Sequence, residues 1–168
     1  DPMAILIPDQ PKDCPYGERI VYEKLGRDLD ADWVVLHSLG LHGHKTKIWG
    51  EADIIVLSTK GFFALEVKGG KVACKDGIWH FGEPGTLGYT KKEDPWTQAK
   101  GSMFAFEKKL IEADGNSDDL LFGFGVVMPM ETFTATGAEI EPAVLLDLRD
   151  FRRNLGYYIG QLQRHWLA

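Results

Sequence analysis

Three charged side chains stand where a buried hairpin would ordinarily carry apolar ones. Residues 50–71, GEADIIVLSTKGFFALEVKGGK, read as two strands joined by a tight turn, and they include Asp53, Glu66 and Lys68. Strand side chains alternate, so Asp53, Ile55 and Leu57 share one face of the first arm. Phe62, Ala64, Glu66 and Lys68 share one face of the second. Both arms are apolar on both faces, the pattern of strands covered on each side by other elements, where an unpaired charge is costly. A turn centred between Thr59 and Lys60 and closed by Gly61 pairs Ser58 with Gly61, Leu57 with Phe62 and Asp53 with Glu66. Opposed residues on one sheet face have Cβ atoms roughly 4.5–5.5 Å apart. Two carboxylates that close repel each other unless a cation lies between them, and oxygen-only ligation suits Mg²⁺ or Mn²⁺. Lys68 reaches the same point. A turn with an odd number of residues would instead set Asp53 opposite Val67 and dissolve the cluster.

A lone Glu-x-Lys on a strand is ordinarily a surface pair worth about 0–1 kcal/mol. The burial pattern, the opposed Asp53 and the order of the surrounding elements set this one apart. Those elements must position it. Residues 1–15 are rich in Pro and Asp and read as an irregular lead-in, and Asp1 and Pro2 ahead of Met3 read as a cloning remnant. A helix is predicted over 16–30, with Val21, Leu25 and Leu29 on one stripe and Tyr22 beside it. Glu18 lies three residues before Val21 on that inward face, either as a partner of the helix dipole or as a group aimed over the sheet. A strand over 33–39 follows, then a Gly-flanked loop with His42, His44, Lys45 and Lys47. With Lys71, those four are the candidate phosphate contacts. The His-x-His spacing fits a metal less well than a solvated loop, because no Cys or carboxylate stands beside it.

Beyond the central hairpin, residues 71–75 and 78–81 make a second one around Asp76-Gly77, a strong turn pair. Residues 82–93 read as a loop. Asp94-Pro95 starts a helix in the expected way, Asp as N-cap and Pro at the first helical position, with Trp96, Ala99, Met103, Phe106 and Leu110 as its buried stripe. Gln98 sits in its first turns, off the centre of that stripe. Residues 122–129 are a buried strand whose Gly-x-Gly lacks the third glycine and following helix of a dinucleotide site. Residues 131–147 read as a mixed loop with a short extended piece at 143–146. A final helix is predicted over 148–167, with Phe151, Leu155, Tyr158, Ile159, Leu162 and Trp166 at helical spacing. The order predicts an α/β domain over 16–168, a central mixed β-sheet flanked by helices on both faces.

The bulk properties narrow the function. At 168 residues the chain suits one domain with a real core. No apolar run approaches the roughly 18–20 residues of a membrane helix, and no secretory signal is visible. Cys14 and Cys74 form no C-x-x-C, so neither a zinc site nor a disulfide framework is indicated, and a cytoplasmic location is the default. The net charge of −6 argues against non-specific coating of nucleic acid. Residues 40–71 nevertheless hold five Lys against three acids, a mildly basic patch around an acidic centre.

With these residues in place the chain resembles a known family. Gly17-Glu18 opening the helix, D-W-x-V-L-H at 32–37, G-E-A-D-I-I-V-L at 50–57 and G-F-F-A-L-E-V-K-G-G at 61–70 resemble the nuclease-related domain (NERD) of the PD-(D/E)XK nuclease superfamily. Trp79 and the P-x-x-Q at 95–98 continue the likeness, which covers roughly residues 16–130. It departs from the superfamily pattern in having Ala52 where a Pro often precedes the Asp. The resemblance implies a restriction-endonuclease-like fold and a metal-dependent nuclease acting on DNA, in a family whose members are often fused to a helicase or kinase-like module. Carried over, Asp53 and Glu66 would hold Mg²⁺ or Mn²⁺ with the Val67 carbonyl, and Glu18 would bind directly or through water. Lys68 would orient the attacking water, and Gln98 would help position the site or the nucleic-acid backbone. Gly69 and Gly70 would let that backbone approach the strand end. The alternative is the same fold used as a non-catalytic module that binds nucleic acid or a partner domain.

Overall fold

The computed structural model describes residues 3–11, 13–37, 52–83, 85–115 and 119–168. In chain order the elements are β1 (Ile5–Ile7), α1 (Tyr16–Asp28), β2 (Val34–His37), β3 (Ile54–Ser58), β4 (Gly61–Val67), β5 (Lys71–Lys75), β6 (Ile78–Gly82), β7 (Tyr89–Lys91), α2 (Pro95–Asp114) and β8 (Phe122–Val127). A 3₁₀ turn at Pro142–Val144, β9 (Leu145–Leu146), α3 (Leu148–Phe151) and α4 (Gly156–Leu167) complete the chain. Strands β1, β2, β3, β4, β8 and β9 form one mixed sheet in that order, and β5, β6 and β7 form a second, smaller one. This is the expected α/β architecture.

The sheet is built around β4, which is antiparallel to β3 and parallel to β8. All but one of its seven residues are buried, as its two apolar faces require. Helix α2 covers the face that carries Phe62, whose ring centroid lies 6.2 Å from that of Phe106. Its start is fixed as expected: Asp94 accepts the Thr97 N–H at 2.8 Å, Pro95 follows, and Gly115 closes the helix in the left-handed region. Helices α1 and α4 lie on the other face. Tyr22 of α1 meets His37 edge-on at 5.3 Å and donates from its hydroxyl to the Val35 carbonyl. The Gly-x-Gly of β8 makes room for α4. A Cβ at Gly123 would collide with the Trp166 indole, and one at Gly125 with the Tyr158 hydroxyl.

Four expectations are corrected. The lead-in contains β1, which pairs in parallel with β2 and draws its identity from that partner rather than from its own three residues. Helix α1 stops at Asp28, its end marked by Leu29 in an extended conformation. The 82–93 segment contains β7, paired with β6 through Phe81↔Tyr89 and Trp79↔Lys91. The last helix is broken. Between α3 and α4, Asp28 Oδ2 accepts the Leu155 N–H at 2.8 Å and Asn154 Oδ1 accepts the Gly156 N–H at 2.8 Å, so these donors are satisfied outside the helix. The apolar stripe hides this break, because Phe151 and Leu155 keep a helical spacing across it. The second hairpin is as expected, with Asp76 and Gly77 both at positive φ, 53° and 75°.

Candidate active site

The β3–β4 turn has two residues, and the ladder runs Ser58↔Gly61, Leu57↔Phe62, Val56↔Phe63, Ile55↔Ala64 and Ile54↔Leu65. One step further along this even register stand Asp53 and Glu66. Both are buried, at 4% and 5% exposure, and so is Lys68 at 8%. Asp53 Oδ2 accepts the Val67 N–H at 2.9 Å, which ties the first carboxylate to the strand that carries the second.

Lys68 is held from two sides. Its Nζ lies 3.3 Å from Glu66 Oε1 and donates to the Tyr89 hydroxyl at 3.0 Å, with the Phe81 ring centroid 4.7 Å away. Burial by itself pushes the ammonium pKa down, but Glu66, Tyr89 and Asp53 together outweigh it, and the net shift is upward. Lys68 is therefore a fixed positive charge at neutral pH and not a proton acceptor.

Glu18 stands in the first turn of α1, and a different set of contacts places that helix end. Pro15 offers no side-chain cap. Instead Glu83, at the end of β6, accepts the Gly17 N–H at 2.9 Å. Gly17 in turn packs on Gly69, where a Cβ would collide with the Gly69 backbone, and a Cβ at Gly69 would meet the Glu83 carboxylate. Gly70 has φ +81°, with its missing Cβ directed at the Gly82 carbonyl. These two glycines are required by the protein's own close packing, a simpler reason than the approach of a nucleic-acid backbone.

Glu18, Asp53, Glu66, Val67, Lys68 and Gln98 all line one cleft of about 980 Å³ between α1, the end of β4, the β5–β7 sheet and α2. Its wall also carries Glu83 and Glu93, so among the described residues five carboxylates face two ammonium groups, those of Lys68 and Lys91. Gln98 Oε1 is buried there with no hydrogen-bond partner among the described residues. An orphaned buried acceptor costs about 1–3 kcal/mol and calls for an explanation. Lys71 is exposed on β5 and is not among the residues lining the cleft. His42, His44, Lys45 and Lys47 lie outside the described residues.

Three residues at the cleft went unread in the sequence. Tyr89 sits in a segment read as loop, and nothing local marks it. Cys14 and His37 meet Glu18: the thiol Sγ is 3.1 Å from His37 Nε2 and 3.7 Å from Glu18 Oε2. Burial, then the Glu18 charge, pushes the Cys14 thiol up to about 12, so it is neutral at pH 7 and no nucleophile. His37 closing an otherwise apolar strand was the visible signal.

The nuclease-related domain family model matches residues 16–145, more than half of the chain and all of the cleft except Pro15. The chain belongs to the nuclease-related domain family. No curated protein and no solved structure matches it significantly. Membership in this family points to a nuclease-related function and to a divalent metal. The donor set of the cleft fits such an ion: the carboxylate oxygens of Asp53 and Glu66 are the hard donors that Mg²⁺ and Mn²⁺ prefer, and the buried Gln98 Oε1, without a partner among the described residues, is a further oxygen acceptor. Among the described residues no helix is long and apolar enough to cross a membrane.

Proposed function

We propose that this member of the nuclease-related domain family is a metal-dependent deoxyribonuclease, with its chemistry at Asp53, Glu66 and Lys68. One observation carries the reading: two buried carboxylates, Asp53 and Glu66, line one cleft beside one buried ammonium, that of Lys68. Asp53, Glu66 and the Val67 carbonyl would hold Mg²⁺ or Mn²⁺, with Glu18 joining directly or through water. When bound, that ion would polarise water and relieve charge on the phosphate oxygens. Lys68, permanently charged and clamped between Glu66 and Tyr89, orients the attacking water and offsets charge that builds on the scissile phosphate. Gln98 donates or accepts at the water or the nucleic-acid backbone, the partner its Oε1 lacks among the described residues. DNA is then the substrate, and a helicase or similar module in a longer chain is the natural partner.

A second reading has one observation in its favour. The cleft lining is acidic, with five carboxylates against two ammonium groups, which suits a docking module that holds a partner without cutting better than it suits unaided DNA binding. The test is cleavage of plasmid and single-stranded DNA with Mg²⁺, Mn²⁺ or EDTA, comparing wild type, Asp53→Ala and Lys68→Ala. We expect metal-dependent cutting by wild type and a loss of roughly 100- to 1,000-fold in each variant, the range seen when one preorganised electrostatic group is removed. Wild type that leaves DNA intact with either metal would put the docking module first. Cutting that survives Asp53→Ala would mean the chemistry lies on other residues.

A further inference from the structure

We propose that Cys14, Glu18 and His37 form a second metal site, one that takes a borderline-soft divalent cation such as Zn²⁺ at the edge of the cleft. The three come from the lead-in, the first turn of α1 and the end of β2, so only the fold brings them together. Their donor atoms lie 3.1 Å (Sγ to Nε2), 3.4 Å (Nε2 to Oε2) and 3.7 Å (Sγ to Oε2) apart. Zn²⁺ bonds of about 2.3 Å to sulfur and about 2.0–2.2 Å to nitrogen and oxygen, in tetrahedral geometry, give ligand–ligand edges of roughly 3.4–3.6 Å. The Nε2–Oε2 and Sγ–Oε2 edges lie close to these values, and the short Sγ–Nε2 edge opens to them by a small movement of the thiol away from His37. His37 is fully buried and its ring is braced edge-on by Tyr22, so one ligand is preorganised.

The donor chemistry separates this site from the carboxylate pair. A thiolate and an imidazole select Zn²⁺ or another late transition ion over Mg²⁺. Binding releases the thiol proton to solvent and forms the metal–sulfur bond, leaving the fourth position for water. Glu18 belongs to both clusters, so an ion held by Cys14 and His37 also fixes the carboxylate that faces the cleft. The site stands whether or not the cleft cuts DNA.

The experiment uses the intact chain with Zn²⁺ or Co²⁺ alone. Titration calorimetry gives stoichiometry and affinity for Zn²⁺. Absorption with Co²⁺ reports a thiolate-to-cobalt charge-transfer band that oxygen or nitrogen ligands do not produce. We expect that band, saturated by one equivalent of Co²⁺, in wild type and in Cys74→Ser. In Cys14→Ser, shown folded by circular dichroism, the band disappears and Zn²⁺ affinity falls by at least the roughly 10- to 100-fold that loss of even an outer-shell partner costs. Asp53→Asn keeps the band, which separates this site from the one proposed for cleavage. Absence of the band in wild type, its loss in Cys74→Ser instead, or equal Zn²⁺ affinity in Cys14→Ser would each overturn the proposal.

Discussion

Two buried aspartates in this protein have opposite surroundings. Asp147, 2% exposed, accepts the Phe133 and Arg149 backbone N–H groups and takes a guanidinium from Arg149, whose Nη2 lies 2.8 Å away. One negative charge there meets one positive charge and two dipoles aimed at it. Asp53, equally buried, accepts the Val67 N–H but shares its cleft with four further carboxylates and two ammonium groups. The first arrangement is a structural joint between the 131–147 segment and α3. Among the described residues, the lining of the second carries more acidic than basic side chains, a surrounding that a bound cation would balance. Burial alone therefore does not distinguish these two aspartates; the charged groups described around each do.

The largest expected effect breaks this contrast at Asp53. If the cleft demands a cation, Mg²⁺ binds the folded state and stabilises it, by about 2.7 kcal/mol when its concentration is 100 times the dissociation constant. Urea unfolding of wild type with and without Mg²⁺ should show that gain. Asp53→Asn, which removes one charge while keeping the shape, should show little or none. An equal Mg²⁺ gain in Asp53→Asn would locate the cation elsewhere.

The contrast also shows what was legible before the structure. The β3–β4 register could be read because a two-residue turn and strict alternation leave one pairing that buries both apolar faces, and Asp53 and Glu66 come one step beyond its last pair, Ile54↔Leu65. Gln98 could be placed because Asp94-Pro95 fixes where α2 begins, and so which way each later residue points. Tyr89 could not. All three residues of β7 are exposed and carry no alternation, and the strand exists because β6 offers an edge. Cys14 and His37 are 23 residues apart with no motif spacing, so His37 stood out in its apolar strand but its meeting with Cys14 is revealed by the fold. Gly69 and Gly70 were legible only in part for a related reason: a glycine announces close approach, but the sequence does not say that Glu83 and the Gly82 carbonyl are what comes close.

The middle effect concerns Asp147. Burial pushes its carboxyl upward, but the Arg149 side chain and the Phe133 and Arg149 N–H groups outweigh burial and leave it below the ordinary carboxylate range. A carboxyl depressed in the folded state contributes stability above its unfolded pKa, and that contribution is lost as pH falls through the folded value. Asp147→Asn should therefore cost about 1.5–3 kcal/mol at neutral pH, the range for hydrogen bonds to a charged group. The gap to wild type should narrow on acidification below the normal carboxylate range. Chemical unfolding at neutral and strongly acidic pH checks the sign, and a gap that widens in acid would refute it.

The smallest effect sharpens the comparison at a neutral residue. Asp147 has its acceptors filled, whereas Gln98 Oε1 is buried without a partner among the described residues. If that oxygen is kept for substrate or a metal-bound water, Gln98→Leu removes an unsatisfied acceptor and should leave the ligand-free protein as stable as wild type or up to about 1 kcal/mol more stable. The same change should lower metal-dependent cleavage by roughly 10- to 100-fold, as loss of an outer-shell group does. A purely structural Gln98 predicts the reverse pair, lower stability with unchanged cleavage. Stability and rate moving in opposite directions is the signature of strain held for function, since selection keeps such a cost only where binding later offsets it.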